Sequence, residues 1–391
     1  MTTNKRLGDY IREIDVRNRD LSVTTLLGVS VNKEFIPSIA NTIGTDMSTY
    51  KIVRKGQFAY GPVTSRNGDK VSIALHTKEE AAIISQAYTV FEIKDTNKLL
   101  PEYLMMWFRR PEFDRYARFH SHGSAREIFD WDEMCDVSLP IPPIERQREI
   151  VAEYETLSKR IRLNEQMISK LEETAQTLYR KMFVDGIDKE NLPEGWRMGK
   201  LGDLADIKGG KRLPKGEELQ IEKSSHPYIK VADMCNYKYM ILNNEILYVS
   251  DDIQKYIHQY IVNTDDIILS IVGTIGNVNV IDESLNGANL TENCVKLVNL
   301  RCISNSYLYS FLVSKEGKSI IEQSIVGGVQ GKLPIYNIEK MELLIPSEKA
   351  IKDFNLRMNI IDTYIKIRLK ENKKLTELQS LLLARMGDKN K

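Results

Sequence analysis

A long heptad pattern occurs twice in this 391-residue chain, and the second copy lies 204 positions after the first. The first copy runs through Ile150, Tyr154, Leu157, Ile161, Asn164, Ile168, Leu171, Ala175, Leu178 and Met182, and the second through Phe354, Met358, Ile361, Ile365, Arg368, Asn372, Leu375, Gln379, Leu382 and Met386. Mostly apolar residues at alternating spacings of four and three form the seam of a coiled coil. Two equivalent seams in one chain therefore predict two long helices that pair with each other.

The segments that precede the two helical patterns also repeat. Leu7-Gly8-Asp9 opens the first and Leu201-Gly202-Asp203 opens the second, an offset of 194, so the second copy has about ten extra residues, which we expect in loops. Glycine, proline and charged residues cluster over 184–196, where a helix should end and a linker should begin. The predicted organisation is a first domain over 1–143, a helix over 144–184, a linker over 185–200, a second domain over 201–346 and a second helix over 347–387.

Both domains have the sequence texture of strands, turns and short helices. Two alternating segments, 71–75 and 88–93, predict half-buried strands. The segment 266–272 predicts a buried strand that is followed by a turn over 273–277. Short helices are predicted at 101–108 and 306–312, with aromatic faces that belong to the core. The predicted fold class is therefore α+β.

Bulk properties exclude several classes of protein. Hydrophobic residues make up 42% and charged residues 28% of the chain, and no apolar run approaches the roughly 18 residues that a membrane span requires. The N-terminal segment contains no apolar stretch of the kind found in secretory signals. Four cysteines without a CxxC pair indicate reduced thiols, so a cytoplasmic protein is expected.

Motifs for catalysis and for metal binding are missing. Leu312 stands where the first glycine of a phosphate-binding loop before Gly317-Lys318-Ser319 would be required, and 141–144 has the prolines of an amino-methyltransferase motif without its polar and aromatic ends. Asp69 with Glu92-Ile93-Lys94 resembles a magnesium-binding nuclease motif, but a strand that ends in charged residues explains it equally well. We therefore predict no catalytic residues, no metal site and no cofactor.

Several motifs in both copies resemble those of one family, the specificity subunits of type I restriction–modification systems. The segments that carry the resemblance are 123–128 followed by 139–151 in the first copy, and 227–234, 270–276 and 327–332 in the second. Val272 replaces the arginine of the family's RGTIG turn, and Ser347-Glu348-Lys349-Ala350 replaces the family's Pro-Ile-Glu-Arg before the second helix. The order of these motifs, with a coiled-coil helix after each set, makes the resemblance specific.

The resemblance implies two mixed α/β target-recognition domains that are separated by two antiparallel coiled-coil helices with pseudo-two-fold symmetry. It also implies a non-catalytic subunit that binds double-stranded DNA at a bipartite target and recruits methyltransferase subunits, one per repeat, with motor–nuclease subunits left open. A helix of nearly 40 residues is about 55–60 Å long, so we expect it to act as a ruler for the gap in the target. Asn164 and Asn372 are predicted to fix the register of the coiled coil.

A net charge of +1 neither supports nor excludes DNA binding, because proteins that neutralise many phosphates usually have a basic excess. Two alternatives of other classes therefore stay open: a coiled-coil adaptor that binds proteins and not DNA, and a self-contained restriction nuclease or methyltransferase.

Turns after strands and basic segments before the helices are the expected DNA contacts, because arginine, asparagine and glutamine can read base edges while serine, threonine and lysine often hold phosphate. In the first domain the predicted residues are Tyr60, Thr64, Ser65, Arg66, Asn67, Arg118, His120, Ser124 and Arg126. In the second domain they are Lys208, Lys211, Arg212, Lys230, Thr274, Asn277, Gln330 and Lys332.

Overall fold

The computed structural model describes residues 4–38, 44–65, 68, 70–123, 126–328 and 331–387. Contacts divide the chain into two compact units. The first unit consists of the residues up to Arg160 together with those from Lys374 onward, and the second consists of Ile161–Lys373. Both long helices cross this division, so each unit contains one part of each helix.

The described residues of the first unit form ten short strands and three short helices before the first long helix. The strands are β1 (Asn4–Arg6), β2 (Ile11–Ile14), β3 (Leu27–Val29), β4 (Phe35–Pro37), β5 (Lys51–Val53), β6 (Phe58–Tyr60), β7 (Ile73–Leu75), β8 (Ala82–Ile84), β9 (Thr89–Ile93) and β10 (Ser138–Pro140). The helices are α1 (Pro101–Phe108), α2 (Pro111–Phe119), α3 (Trp131–Asp136) and the long α4 (Ile144–Phe183). Short 3-10 turns lie at Leu7–Asp9 and Met47–Thr49.

The main sheet of the first unit has the strand order β2-β9-β6-β7, and all its pairs are antiparallel. Its two faces are covered by two different cores. Large side chains such as Phe58 and Phe91 pack against the helices, whereas Ala59, Ala74 and Val90 pack into a second cluster on the other face. The prediction that 71–75 is half-buried was therefore wrong, because the alternation there separates two cores and not core from solvent.

The second unit repeats this set of elements with additions. It contains β11 (Arg197–Lys200), α5 (Leu201–Leu204), β12 (Asp206–Gly209), β13 (Pro227–Ile229), β14 (Tyr239–Met240), β15 (Leu247–Tyr248), α6 (Asp251–Ile257), β16 (Ile267–Ser270), β17 (Val278–Ile281), β18 (Asn289–Leu290), β19 (Cys294–Val298), α7 (Asn305–Val313), α8 (Lys315–Gln323), α9 (Ile335–Glu339), β20 (Glu342–Ile345) and α10 (Glu348–Arg385). Its 3-10 turns are Val231–Asp233, His258–Tyr260 and Glu283–Leu285.

The sheet topology confirms the internal repeat. The second main sheet has the order β12-β19-β16-β17-β14, so its first four strands match β2, β9, β6 and β7. An antiparallel pair closes each repeat, β1 with β10 and β11 with β20. Tyr103 donates to the Pro140 carbonyl at 3.1 Å, and Tyr307, 204 positions later, donates to the Leu344 carbonyl at 2.6 Å. The extra residues of the second copy are not confined to loops, because the stretch between β12 and β16 contains α6.

The long helices pair through their predicted seams, and the pairing is antiparallel within each unit. In the second unit Asn164 donates to Asn372 at 2.8 Å, and further along α4 the Phe183 ring lies 5.1 Å from the Phe354 ring. In the first unit Ser158 accepts a hydrogen bond from Gln379 at 2.7 Å, while Tyr154 shares a core cluster with Leu383. Residues later in α4 therefore contact residues earlier in α10.

Candidate nucleic-acid interface

Two segments of the first unit meet at the end of β6, an inner strand of the main sheet. The β6–β7 loop (described residues 61–65, 68 and 70–72) follows β6, and the α2–α3 hairpin (described residues 120–123 and 126–129) has a bridge between His122 and Ile128. Val63 also bridges Ile128, and the Thr64 N–H donates to the Glu127 carbonyl at 3.0 Å. Loop and hairpin thus form one surface on a scaffold of strand and helix ends, which is how proteins commonly present binding residues.

The second unit builds the same surface from equivalent segments. The β16–β17 loop (residues 271–277) and the α8–α9 hairpin (described residues 326–328 and 331–332) are joined by a bridge between Val272 and Lys332. Ser270 holds the loop closed, because its hydroxyl donates to the Thr274 carbonyl at 2.6 Å and accepts from the Asn277 N–H at 2.9 Å. Gly273 has φ of 79°, a conformation that suits glycine, and it places Thr274 at the exposed tip of the turn.

The structure places the described predicted residues of the first domain in two groups. Ser65, Arg118, His120 and Arg126 lie on or beside the shared surface of loop and hairpin, and Ser65 and Arg126 are exposed. Tyr60 and Thr64 are fully buried. Tyr60 packs in the aromatic core, where burial raises the pKa of its hydroxyl, and Thr64 Oγ1 lies 3.0 Å from Ser121 Oγ. Neither side chain can touch a duplex from these positions, so we withdraw Tyr60 and Thr64 as contact residues.

In the second domain, Thr274, Asn277 and Lys332 lie on the loop and hairpin, and three more cations gather beside them. The Lys211 N–H donates to the Leu290 carbonyl at 2.7 Å, and Arg212 pairs with Glu292. Lys230 follows β13, and β13 pairs with β18, which contains the Leu290 that binds Lys211. This cluster adjoins the β16–β17 loop, because the Ile271 N–H donates to the Asn293 carbonyl at 2.8 Å.

The remaining predicted residues either lie away from the surfaces formed by loop and hairpin or fall outside the described residues. Lys208 lies inside β12, opposite Lys296 of β19, and so it stands apart from the loop cluster. Arg66, Asn67, Ser124 and Gln330 are outside the described residues, and their contact roles stay predictions.

Several basic side chains at these surfaces already lie against a carboxylate. Arg118 pairs with Glu127 at 2.6 Å, His120 with Glu133 at 2.9 Å and Arg212 with Glu292 at 2.7 Å. Partial burial acts to raise the pKa of Glu292, but hydrogen bonds from Arg212 and from neighbouring groups outweigh it, and the net pKa is lowered. The Glu292 carboxylate therefore stays ionised and orients the guanidinium, which must exchange this partner to bind a phosphate.

Two arginines of the first unit were missed in the sequence. Arg17 and Arg19 follow β2 just as Lys211 follows β12, and Arg17 corresponds to Lys211 at the repeat offset of 194. Arg17 donates to the Thr49 carbonyl at 2.8 Å and also pairs with Asp15. The hydrogen bond from Arg17 to the Asp15 carboxylate lowers the pKa of Asp15. Arg19 is exposed. The offset between the two Leu-Gly-Asp motifs was the signal that could have identified Arg17, whereas Arg19 corresponds to Leu213 at the same offset.

The described part of the chain holds neither a metal-binding cluster nor a membrane-spanning helix. No group of three or more histidine, cysteine, aspartate or glutamate residues among the described ones could hold a metal ion. Within the same residues, no helix has the length and apolar character needed to cross a membrane.

Comparison with known proteins identifies the class of this duplicated fold. The family model of the type I restriction modification DNA specificity domain matches residues 32–173 and 193–380, so the chain belongs to that family. Among its relatives is the HindI specificity subunit of Haemophilus influenzae, which is 22% identical over 455 residues, with 97% of each chain covered. The MjaVIII specificity subunit of Methanocaldococcus jannaschii is 18% identical over 75% of this chain and 71% of the relative.

A solved structure shows the same fold. The S subunit of a type I restriction–modification system from M. genitalium superposes with a TM-score of 0.53 at 14% identity, and the match covers 100% of this chain and 97% of that one. The predicted family and the predicted fold class are confirmed.

Proposed function

We propose that this chain is the DNA-specificity subunit of a type I restriction–modification system and that each of its two units reads one half of a bipartite target. The observation that carries the proposal is the duplicated surface, in which a loop after the central strand meets a hairpin that precedes the last short helix. Two related surfaces in one chain suit two separate DNA segments, and the family match supplies the class of ligand.

Within this proposal, base and phosphate contacts come from the exposed residues of the two surfaces. Arg126 of the first hairpin and Asn277 of the second loop carry side chains that can make bidentate contacts to base edges. Thr274, Lys332 and Lys211 are suited to phosphate oxygens. Arg17 joins the first set as the counterpart of Lys211, and the exposed Arg19 lies two residues further along the chain.

The proposal also assigns partners and domain limits. The long helices bind two methyltransferase subunits, and the chain contributes recognition without catalysis, since no catalytic motif was found in its sequence. The recognition domains cover 1–143 and 201–346, the helices 144–184 and 347–387, and the linker 185–200.

The experiment that tests this function is methylation mapping with the reconstituted chain and its cognate methyltransferase subunits. Arg126→Ala should relax the sequence preference in one half of the target only, and Lys332→Ala should weaken binding through the other half. Loss of a base contact costs about 1–3 kcal/mol at one position of the target, whereas loss of a phosphate contact lowers the affinity for all sequences alike.

Matched controls are available on exposed cations away from both surfaces. Lys55, before β6 at the end of the strand opposite the loop, and Lys315 on α8 are exposed, and their replacement by alanine should change neither half of the target. Methylation or cleavage by the chain alone would contradict the proposed division of labour. An Arg126 variant with unchanged affinity and sequence preference would show that the α2–α3 hairpin does not read bases.

A further inference from the structure

Asp114 on α2 holds two other segments of the first unit through one carboxylate oxygen. Asp114 Oδ1 accepts a hydrogen bond from the Lys33 ammonium group at 2.6 Å and another from the Val71 N–H at 3.0 Å. Lys33 belongs to the turn between β3 and β4, and Val71 lies two residues before β7, in the last part of the β6–β7 loop. The carboxylate therefore connects a helix, a hairpin turn and a loop that forms part of the candidate interface.

All three groups of this contact are buried. The Lys33 and Asp114 side chains are 6% and 12% exposed, and Val71 is fully buried. A buried N–H group needs an acceptor inside the protein, because it has lost its hydrogen bonds to water. Asp114 supplies that acceptor, and Lys33 supplies the positive charge without which a buried carboxylate would be unfavourable.

Stability of the fold does not require a charged pair at this place. Two apolar side chains of similar size often stabilise a protein interior as well as a buried ion pair does, because burial removes water from both charges. Lys33 also has φ of 64°, a backbone conformation that residues other than glycine rarely adopt. An apolar pair, however, could not accept the hydrogen bond from Val71. The property that only the charged pair provides is therefore a fixed position of the loop.

Helix α2 contacts both arms of the β6–β7 loop, the outgoing arm (residues 61–65) and the returning arm (residues 70–72). Arg118 follows Asp114 by four residues, so both side chains lie on the same face of the helix. Arg118 Nη1 lies 3.5 Å from Thr64 Oγ1 in the outgoing arm and donates to Glu127 of the α2–α3 hairpin at 2.6 Å. Asp114 holds the returning arm at Val71. One helix thus positions the loop and the hairpin together.

The second unit holds its returning arm by a local contact. Its β16–β17 loop is shorter, and Ser270 at the end of β16 accepts a hydrogen bond from the Asn277 N–H at 2.9 Å. Helix α8 corresponds to α2 at the offset of 204, and the exposed Lys318 stands where α2 has Asp114. The contact that fixes the loop therefore differs between the two units, so a change at Asp114 should affect recognition by the first unit alone.

We propose that Asp114 is a positioning residue for target recognition: its hydrogen bond to Val71 fixes the returning arm of the β6–β7 loop, and the sequence preference of the first unit depends on that bond. Lys33 has the supporting role of neutralising the carboxylate inside the protein. This inference rests on the proposed function, in which the first unit reads one half of the target. It adds a residue that does not touch DNA and yet determines which bases are accepted.

The test compares two double variants that differ in this hydrogen bond. Lys33→Met/Asp114→Asn removes both charges, but the amide oxygen of asparagine can still accept from Val71. Lys33→Met/Asp114→Leu removes the same charges and replaces the acceptor by an apolar side chain of similar size. With the cognate methyltransferase subunits present, kcat/KM for methylation is measured on the preferred target and on targets with one altered base. The ratio of the two values is taken separately for each half of the target.

The asparagine variant should keep the wild-type ratio in the first half within about twofold, whereas the leucine variant should lower it about tenfold or more, an effect comparable to the loss of one base contact. The ratio in the second half should stay unchanged in both, because Ser270 holds that loop. Hydrogen exchange of a peptide over 70–75 should be faster in the leucine variant and like the wild type in the asparagine variant.

Asp114→Glu is the second variant and retains the ion pair, so it keeps the inference testable if a double variant does not fold. Its longer side chain displaces the carboxylate by about 1.5 Å, the length of one C–C bond, and should lower the ratio in the first half only. Equal first-half ratios in the two double variants, or an equal loss in both halves, would overturn the inference and leave the proposed function standing. A wild-type chain that directs methylation without preference in either half would overturn both.

Discussion

A buried ion pair ties the second recognition sheet to both long helices, and breaking it should destabilise that unit strongly. Lys238, directly before β14, donates to both carboxylate oxygens of Asp362 on α10 at 2.8 Å. Ser306 of α7 donates to the same carboxylate at 2.9 Å, and the Lys238 N–H donates to Glu172 of α4 at 2.6 Å. Lys238 is 2% and Asp362 is 7% exposed. Burial lowers the pKa of Lys238, and the attraction of Asp362 opposes this effect.

Asp362→Asn should lower the free energy of unfolding of the second unit by about 3–5 kcal/mol, because it leaves a buried ammonium group without its charged partner. Lys238→Met should cost a similar amount for the converse reason. The double variant Lys238→Met/Asp362→Leu removes both charges and should recover most of that loss. Asp252→Asn is the matched control, since its pair with Lys255 at 2.7 Å has side chains that are 85% and 73% exposed. Such a pair contributes under about 1 kcal/mol.

Hydrogen exchange measured by mass spectrometry across a urea series is the suitable assay, because a chain of two units has no single free energy of unfolding. Peptides from β14 and β17 should lose protection at lower urea in Asp362→Asn, while peptides from β6 and β9 should keep theirs. Equal small shifts in Asp362→Asn and Asp252→Asn would refute the reasoning. So would a double variant that is no more stable than the single ones.

Two further predictions concern the coiled coil. Asn164→Ala should cost about 1–3 kcal/mol, because it removes the hydrogen bond that the buried Asn164 side chain donates to Asn372. Asn164→Leu/Asn372→Leu should raise the melting temperature but allow alternative registers, which cysteine cross-linking along the helices would detect. Deletion of 161–167 together with 369–375, two heptads centred on the asparagine pair, should shorten the gap in the DNA target by about three base pairs, since seven helical residues span about 10 Å. Methylation mapping that finds the original gap would contradict the ruler.

The sequence predicted the elements of this fold well where a period carried the information. The heptads predicted a long helix from about Glu145 to Phe183, and α4 spans Ile144–Phe183. The repeat predicted matching strands in both copies, which the two sheet orders confirm. Each of these inferences depends on residues close together in the sequence or on a constant offset, and both can be read without coordinates.

Burial was harder to predict than secondary structure. Alternation with a period of two shows only that the two faces of a strand differ, and in this sheet they differ in size, with Phe58 on one face and Ala59 on the other. Tyr60 was chosen for its position before a turn, but β6 is the central strand between two cores and buries it. The Lys238–Asp362 pair joins residues 124 positions apart, and no local pattern indicates such a contact.

The chain belongs to a DNA-specificity family and yet has a net charge of only +1. The carboxylates beside the cations of the candidate interface agree with this low net charge. Arg118 and Arg212 each face a carboxylate, so a phosphate must displace Glu127 or Glu292 before it gains a cation. This exchange reduces the sequence-independent part of the binding energy, which in DNA-binding proteins comes from phosphate contacts. A larger share of the affinity then depends on correct base contacts at each surface and on the simultaneous engagement of both halves. A subunit that must distinguish its target from all other sites benefits from this balance, because weak phosphate binding disfavours wrong sequences.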